Sequence, residues 1–110
     1  MPNYRAKGEA AKALRKEAGR YLKACRKQAG LTQIQAATEM GQVYFTFVSQ
    51  LEQGRHRLAP EQWAELAKIY GQDVKKFATT LLAYYDPSVY ACIFGDQEPP
   101  GVETIRTYLD

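Results

Sequence analysis

Apolar residues fall at three- and four-residue steps along most of this chain, the pattern of helices that bury one face. Between Glu9 and Ala29 the strong helix formers Ala, Leu, Lys, Arg and Glu dominate, and Leu14, Ala18, Tyr21, Leu22 and Cys25 share one side. Gly30 ends that run as a helix C-cap glycine. Gly19 lies inside it, and either divides a loose N-terminal arm from the helix or sits within one long helix. Thr32 is placed to N-cap a short helix over residues 33–40, with Ile34, Ala36, Ala37 and Met40 as its apolar positions. Pro60 and Glu61 suit a first turn, after which Trp63, Leu66, Ala67 and Tyr70 recur at helical spacing up to Gly71. Asp73 can cap a further helix over 74–85, with Phe77, Leu81 and Tyr84 on one stripe. After Asp86-Pro87, residues 87–94 read as a short helix or, over 89–94, as a strand, and periodicity does not decide between them. Residues 96–102, with Pro99-Pro100, are expected to be extended, and 102–109 at most weakly helical.

One segment runs against this pattern. Val43-Tyr44-Phe45-Thr46-Phe47-Val48 is β-branched or aromatic at every position, which favours a strand. Nothing upstream offers a partner strand. A helix over 44–53 instead turns Val48 and Leu51 inward, with Tyr44 one turn earlier and Phe47 at the edge. It turns Thr46, Ser49, Gln50 and Gln53 outward and places Gly54 at its end. Propensity is a weak prior, so the helix is the better reading.

Composition narrows the function classes. At 110 residues with 45% hydrophobic and 25% charged content, the chain fits one folded domain. No apolar run approaches the roughly 20 residues of a membrane span, and the N-terminus lacks a signal-peptide core, so a cytoplasmic, membrane-free protein is expected. Cys25 and Cys92 fit no metal or redox spacing and read as free thiols. His56, the single histidine, sits in a basic loop with no catalytic partners nearby. Neither paired carboxylates nor a glycine-rich phosphate loop occurs. The chain is therefore not read as an enzyme, and no catalytic residue, metal or cofactor is expected. The net charge of +3 hides an asymmetry: Arg5, Lys7, Lys12, Arg15, Lys16, Arg20, Lys23, Arg26 and Lys27 face only Glu9 and Glu17 in the first 27 residues. Such a stretch is either a basic face for a polyanion or a solvated helix surface.

Leu31-Thr32-Gln33, Ala37, Gly41 and then Phe47-Val48-Ser49-Gln50-Leu51-Glu52-Gln53-Gly54-Arg55 resemble the Xre/Cro-type, lambda-repressor-like helix-turn-helix domain. The likeness covers roughly residues 19–71. Gly41 to Glu52 is one residue longer than the family's commonest spacing, and the extra residue is assigned to the turn at Gln42 or Val43. The resemblance implies an all-α protein: a compact five-helix domain with a C-terminal helical extension. Residues 1–8 are then a flexible basic arm, 9–72 the DNA-binding domain and 73–110 the extension.

The resemblance also implies roles. Tyr44, Phe45, Thr46, Ser49 and Gln50 fall on positions that face base edges, where glutamine can pair with adenine and Thr or Phe can pack on a thymine methyl. For Tyr44 and Phe45, DNA contact, partner contact and partial burial stay open. Thr32, Gln33, Gln53, Arg55 and Arg57 fall where the family grips phosphates. Arg26 and Glu52 match a structural salt bridge between the first and third helices. Double-stranded DNA is thus the expected partner, bound by a homodimer on a palindrome. Phe77, Leu81, Tyr84, Tyr85, Tyr90, Ile93 and Phe94 supply more apolar surface than a small domain obviously covers, and they are expected at the dimer interface. A self-contained helix that finishes the monomer core is the alternative, and the C-terminal segment could also take a protein partner. The expected function is a sequence-specific transcriptional regulator, a repressor by family prevalence. Its rivals are a helix-turn-helix protein-interaction module, antitoxin-like or an anti-regulator, and a sequence-blind DNA binder.

Overall fold

The structure, a computed structural model, describes residues 4–109, with side chains from Gly8 onward. Helix α1 (Tyr4–Ala29) is the spine, followed by α2 (Gln33–Glu39), α3 (Thr46–Glu52), α4 (Trp63–Ile69), α5 (Val74–Tyr85), α6 (Pro87–Phe94) and α7 (Val102–Tyr108). A 3-10 turn at Pro60–Gln62 leads into α4. Among the described residues there is no strand, and no helix is long and apolar enough to cross a membrane.

Local chemistry sets several of these boundaries. Thr32 and Gln35 form a reciprocal capping box: Gln35 N donates to Thr32 Oγ1 at 3.1 Å and Thr32 N to Gln35 Oε1 at 2.8 Å. Asp73 caps α5 by accepting from Lys76 N at 2.9 Å. Pro87 occupies the first turn of α6, where a missing N–H costs nothing.

One cluster forms the core. Ala18, Tyr21, Leu22 and Cys25 of α1 meet Ala36 and Ala37 of α2, Val48 and Leu51 of α3, Leu66 and Ala67 of α4, and Phe77 and Leu81 of α5. Each large apolar side chain fully buried here contributes roughly 1.5–3 kcal/mol. Tyr21 and Phe77 stack at a tilt with ring centroids 5.6 Å apart, which ties α1 to α5. Burial raises the Tyr21 and Tyr70 hydroxyls and pushes the Cys25 thiol up to about 12.

Several expectations change. Residues 4–8 continue α1 instead of forming an arm, and residues 1–3 lie outside the described residues. Of the two readings of Gly19, the structure gives the one long helix: it lies within α1 where α3 crosses, and a Cβ there would overlap the Glu52 carbonyl oxygen. Residues 102–108 are a helix that docks on α1 through buried Ile105. Gly101 leads in, its N donating to Thr80 Oγ1 at 2.9 Å, and a Cβ there would overlap the Tyr21 ring. Tertiary packing stabilises α7 where propensity alone would not.

The expected dimer set changes for the same reason. Phe77, Leu81, Tyr85 and Tyr90 are buried inside one chain. Phe77 and Leu81 also put α5 in the main core, so the boundary at 72 does not separate two packing units. Tyr85 Oη accepts from Leu58 N at 3.2 Å, and Tyr90 Oη donates to Gln97 O at 2.9 Å. Tyr84 and Phe94 are half-buried, and Ile93 stays exposed.

Candidate nucleic-acid interface

The turn between α2 and α3 is where the strand-prone hexamer resolves. Gly41 takes the positive φ of +69° that a side chain resists, and its N donates back to Thr38 O at 2.9 Å while Gln42 N donates to Ala37 O at 2.9 Å. Val43, Tyr44 and Phe45 then stand in solvent at 83%, 76% and 57% exposure. Phe47 N donates to Tyr44 O at 3.2 Å, and α3 is regular only from Thr46. The helix therefore starts two residues later than the expected Tyr44. The lengthened turn takes up Val43 to Phe45, and no side chain caps the helix start.

From Thr46 the helical period sorts the residues. Val48 and Leu51 are buried, and Phe47 packs half-buried against the core. The opposite face carries Thr46 and Gln53, both exposed, with Ser49 and Gln50 half-buried between them. Ser49 Oγ donates to Thr46 O at 3.1 Å. Gly54 closes the helix with φ +76°, its N donating to Leu51 O at 3.1 Å and Arg55 N to Gln50 O at 3.0 Å, a Schellman cap. The same glycine lies against α1, where a Cβ would come within 2.8 Å of Lys16 N.

A charged clamp fixes the C-terminal end of this helix. Arg26 Nε donates to Glu52 Oε2 at 2.7 Å and Arg26 Nη2 to Glu52 Oε1 at 3.0 Å, a bidentate pair with side chains only 11% and 4% exposed. Arg26 Nη1 reaches Leu31 O at 2.9 Å, so one guanidinium joins α1, α3 and the entry to α2. Its hydrogen bonds to Glu52 hold it charged and raise its pKa above the ordinary value, against the opposing effect of burial.

Two of the residues expected at phosphates make side-chain contacts within the chain. Gln33 Nε2 donates to Glu52 Oε1 at 3.0 Å, so its amide completes the clamp. Arg57 Nη2 donates to Asp86 Oδ2 at 2.9 Å, and its guanidinium lies 5.0 Å from the centre of the Tyr85 ring. That holds Arg57 against α5 and α6. Thr32 acts as the cap of α2, as its place in the sequence suggests. Gln53 and Arg55 remain exposed beside α3. With them stand Lys12, Arg15 and Lys16 of α1, which the sequence reading did not single out as site residues. Their spacing of three and four positions, which stacks side chains on one helix face, was the available signal.

Among the described residues no group of three His, Cys, Asp or Glu side chains is placed to hold a metal ion. Cys25 is buried and Cys92 exposed. No curated protein and no solved structure shows significant similarity to this chain. The profile of the helix-turn-helix domain matches residues 17–78, from the middle of α1 into α5. That match takes in the clamp, the turn and α3, and covers more than half of the chain, which therefore belongs to the helix-turn-helix domain family.

Proposed function

We propose that this protein is a sequence-specific transcriptional regulator, a repressor that occupies a palindromic operator as a homodimer. The observation that supports this most is α3 itself. Its outward face is polar, with Thr46, Ser49 and Gln50, and the Arg26–Glu52 clamp fixes its position before any ligand arrives. A helix already held in place spends little binding free energy on ordering. With α3 in a major groove, Gln50 can pair with adenine N6 and N7, and Thr46 or Phe45 can pack on a thymine methyl. From Tyr44 to Gln53 there is no Lys or Arg, so this helix has no side chain for the common guanine contact, and the site leans to A·T pairs. Gln53 and Arg55 then hold phosphates, with Thr32 at the start of α2.

Repression needs only occupancy of promoter DNA. The homodimer would form through the outer face of α6, where Val89 and Ile93 are exposed one turn apart and Phe94 and Tyr84 are half-buried. Half-sites then lie about 34 Å apart. Selection of bound duplexes from a random pool tests reading and symmetry together. The expected product is an A·T-leaning inverted repeat, and a pool without enrichment overturns the reading. A monomeric mass at micromolar concentration overturns the dimer.

The exposed Val43, Tyr44 and Phe45 favour a second reading, a module that docks on another protein. Titration of a random duplex at low salt separates the two. Binding that weakens steeply with salt supports the regulator, and no binding supports the protein-docking module. Equal affinity for selected and random duplexes, surviving Gln50→Ala, marks a sequence-blind binder.

A further inference from the structure

Lys12, Arg15 and Lys16 of α1 line a cleft of about 430 Å3 together with Gln53, Gly54 and Arg55. No lining residue is acidic, and among the described residues no carboxylate lies within ion-pair distance of Lys12, Lys16 or Arg55. On the same helix Glu17 pairs with Arg20 at 3.1 Å. Arg15 is steadied from below, its Nε lying 3.4 Å from Gly54 O. The cations thus gather at the C-terminal end of α3, where the partial negative charge of the helix terminus favours them.

We infer that this cleft holds DNA phosphates flanking the bases under α3, which makes α1 a second backbone clamp. The inference rests on the DNA-binding reading of α3 and adds a part to its footprint. Gln53 belongs both to the outward face of α3 and to the cleft wall, so a backbone leaving the reading helix meets Arg55, Lys16 and Lys12 without a break. The close packing of Gly19 and Gly54 holds the backbones of α1 and α3 at fixed spacing, so the positions that carry the cations are set in advance. Flexible lysines suit this task because phosphate gripping needs charge and reach, not a fixed fork.

The test compares the full chain with its Lys12→Gln/Lys16→Gln variant on the selected operator and on a random duplex, over a range of potassium chloride. Both lysines are exposed, so circular dichroism should not change. Each lost phosphate contact should flatten the slope of log K against log salt by about 0.9. The variant is expected to lose about 1–2 units of slope and the same factor of affinity on both duplexes, leaving sequence preference intact. Trimming the operator's flanking base pairs should remove that slope from the wild type and leave the variant unchanged. A variant slope equal to the wild type's overturns the clamp while the DNA-binding reading stands. A wild type that binds no duplex overturns both.

Discussion

Gly19 of α1 and Glu52 of α3 meet with no room for a side chain between them: a Cβ at Gly19 would overlap the Glu52 carbonyl oxygen and lie 2.7 Å from Leu51 O. The atoms in the way are backbone, which cannot rotate aside. Gly19→Ala gains up to about 1 kcal/mol of helix propensity. It must also push α3 off α1, and overpacking of this kind costs roughly 1–3 kcal/mol. The net expectation is a lower thermal midpoint and weaker DNA binding, because α3 carries the outward face. Gly8→Ala is the control. Nothing lies within 4 Å of that position, so only the propensity gain remains. Thermal melts of the two variants should move in opposite directions.

Two turns along α1 from that crossing, Arg26 holds Glu52 from the side-chain end. Removing one partner of a buried pair leaves the other charge unpaired, which typically costs about 3–5 kcal/mol. Glu52→Ala should approach that range, since it strips three donor contacts from one carboxylate. Replacing both partners with apolar residues, Arg26→Met with Glu52→Leu, should recover much of the loss. Denaturant midpoints of the single and double variants decide it. A double variant as unstable as the sum of the singles would show that the pair does not act as a unit.

Much of this architecture could be read in the order of residues. The caps at Thr32 and Asp73 and the stops at Gly30, Gly41 and Gly54 are local, and local rules found them. The family match over residues 17–78 agrees with the helix-turn-helix reading. What escaped depends on distance in space. Gly19 leaves two readings open, and the reason for a glycine there shows only once α3 lies across it. Phe77, Leu81, Tyr85 and Tyr90 look surplus until α1, the loop at Leu58 and the tail cover them. The tail helix itself is weak in isolation and exists because Gly101 lets it approach Tyr21 and Thr80. Gln33 and Arg57 carry the right chemistry for phosphates, but Glu52 and Asp86 lie within their reach. No one-dimensional rule could weigh those competing acceptors.

Division of the site into reading and gripping residues can be checked by substitution. Gln50→Ala should lose about 1–3 kcal/mol on the selected operator and relax base choice at one position of each half-site. Arg55→Ala should weaken all duplexes by a similar factor and flatten the salt slope by about 1. Arg57→Ala should leave the slope unchanged. Its guanidinium is committed to Asp86 and the Tyr85 ring, and an exposed pair of this kind is worth about 0–1 kcal/mol of stability. Anisotropy titrations on selected and random duplexes separate the three outcomes. Equal behaviour of Gln50→Ala and Arg55→Ala across sequences would end the distinction.

The buried acids predict how the fold fails at high pH. Burial moves the Cys25 thiol from its ordinary 9.0 up to about 12, and burial aided by Glu17 moves Tyr84 from 10.0 up to about 12. Burial raises Tyr21, Tyr70 and Tyr85 as well. Each group stays neutral in the folded chain after its unfolded counterpart has lost a proton. Their stabilisation is therefore complete below the unfolded values and is lost as pH rises above them, from 9 toward 12 for Cys25 and from 10 upward for the tyrosines. Circular dichroism should show a flat stability plateau up to pH 9 and a steepening loss beyond it. The thiols report the same burial chemically. At pH 8 an aromatic disulfide reagent should titrate exposed Cys92 quickly, and Cys25 only after denaturant is added. Equal reaction rates at both thiols in the native protein would mean that α1 opens at the core, and the alkaline slope would then shrink with it.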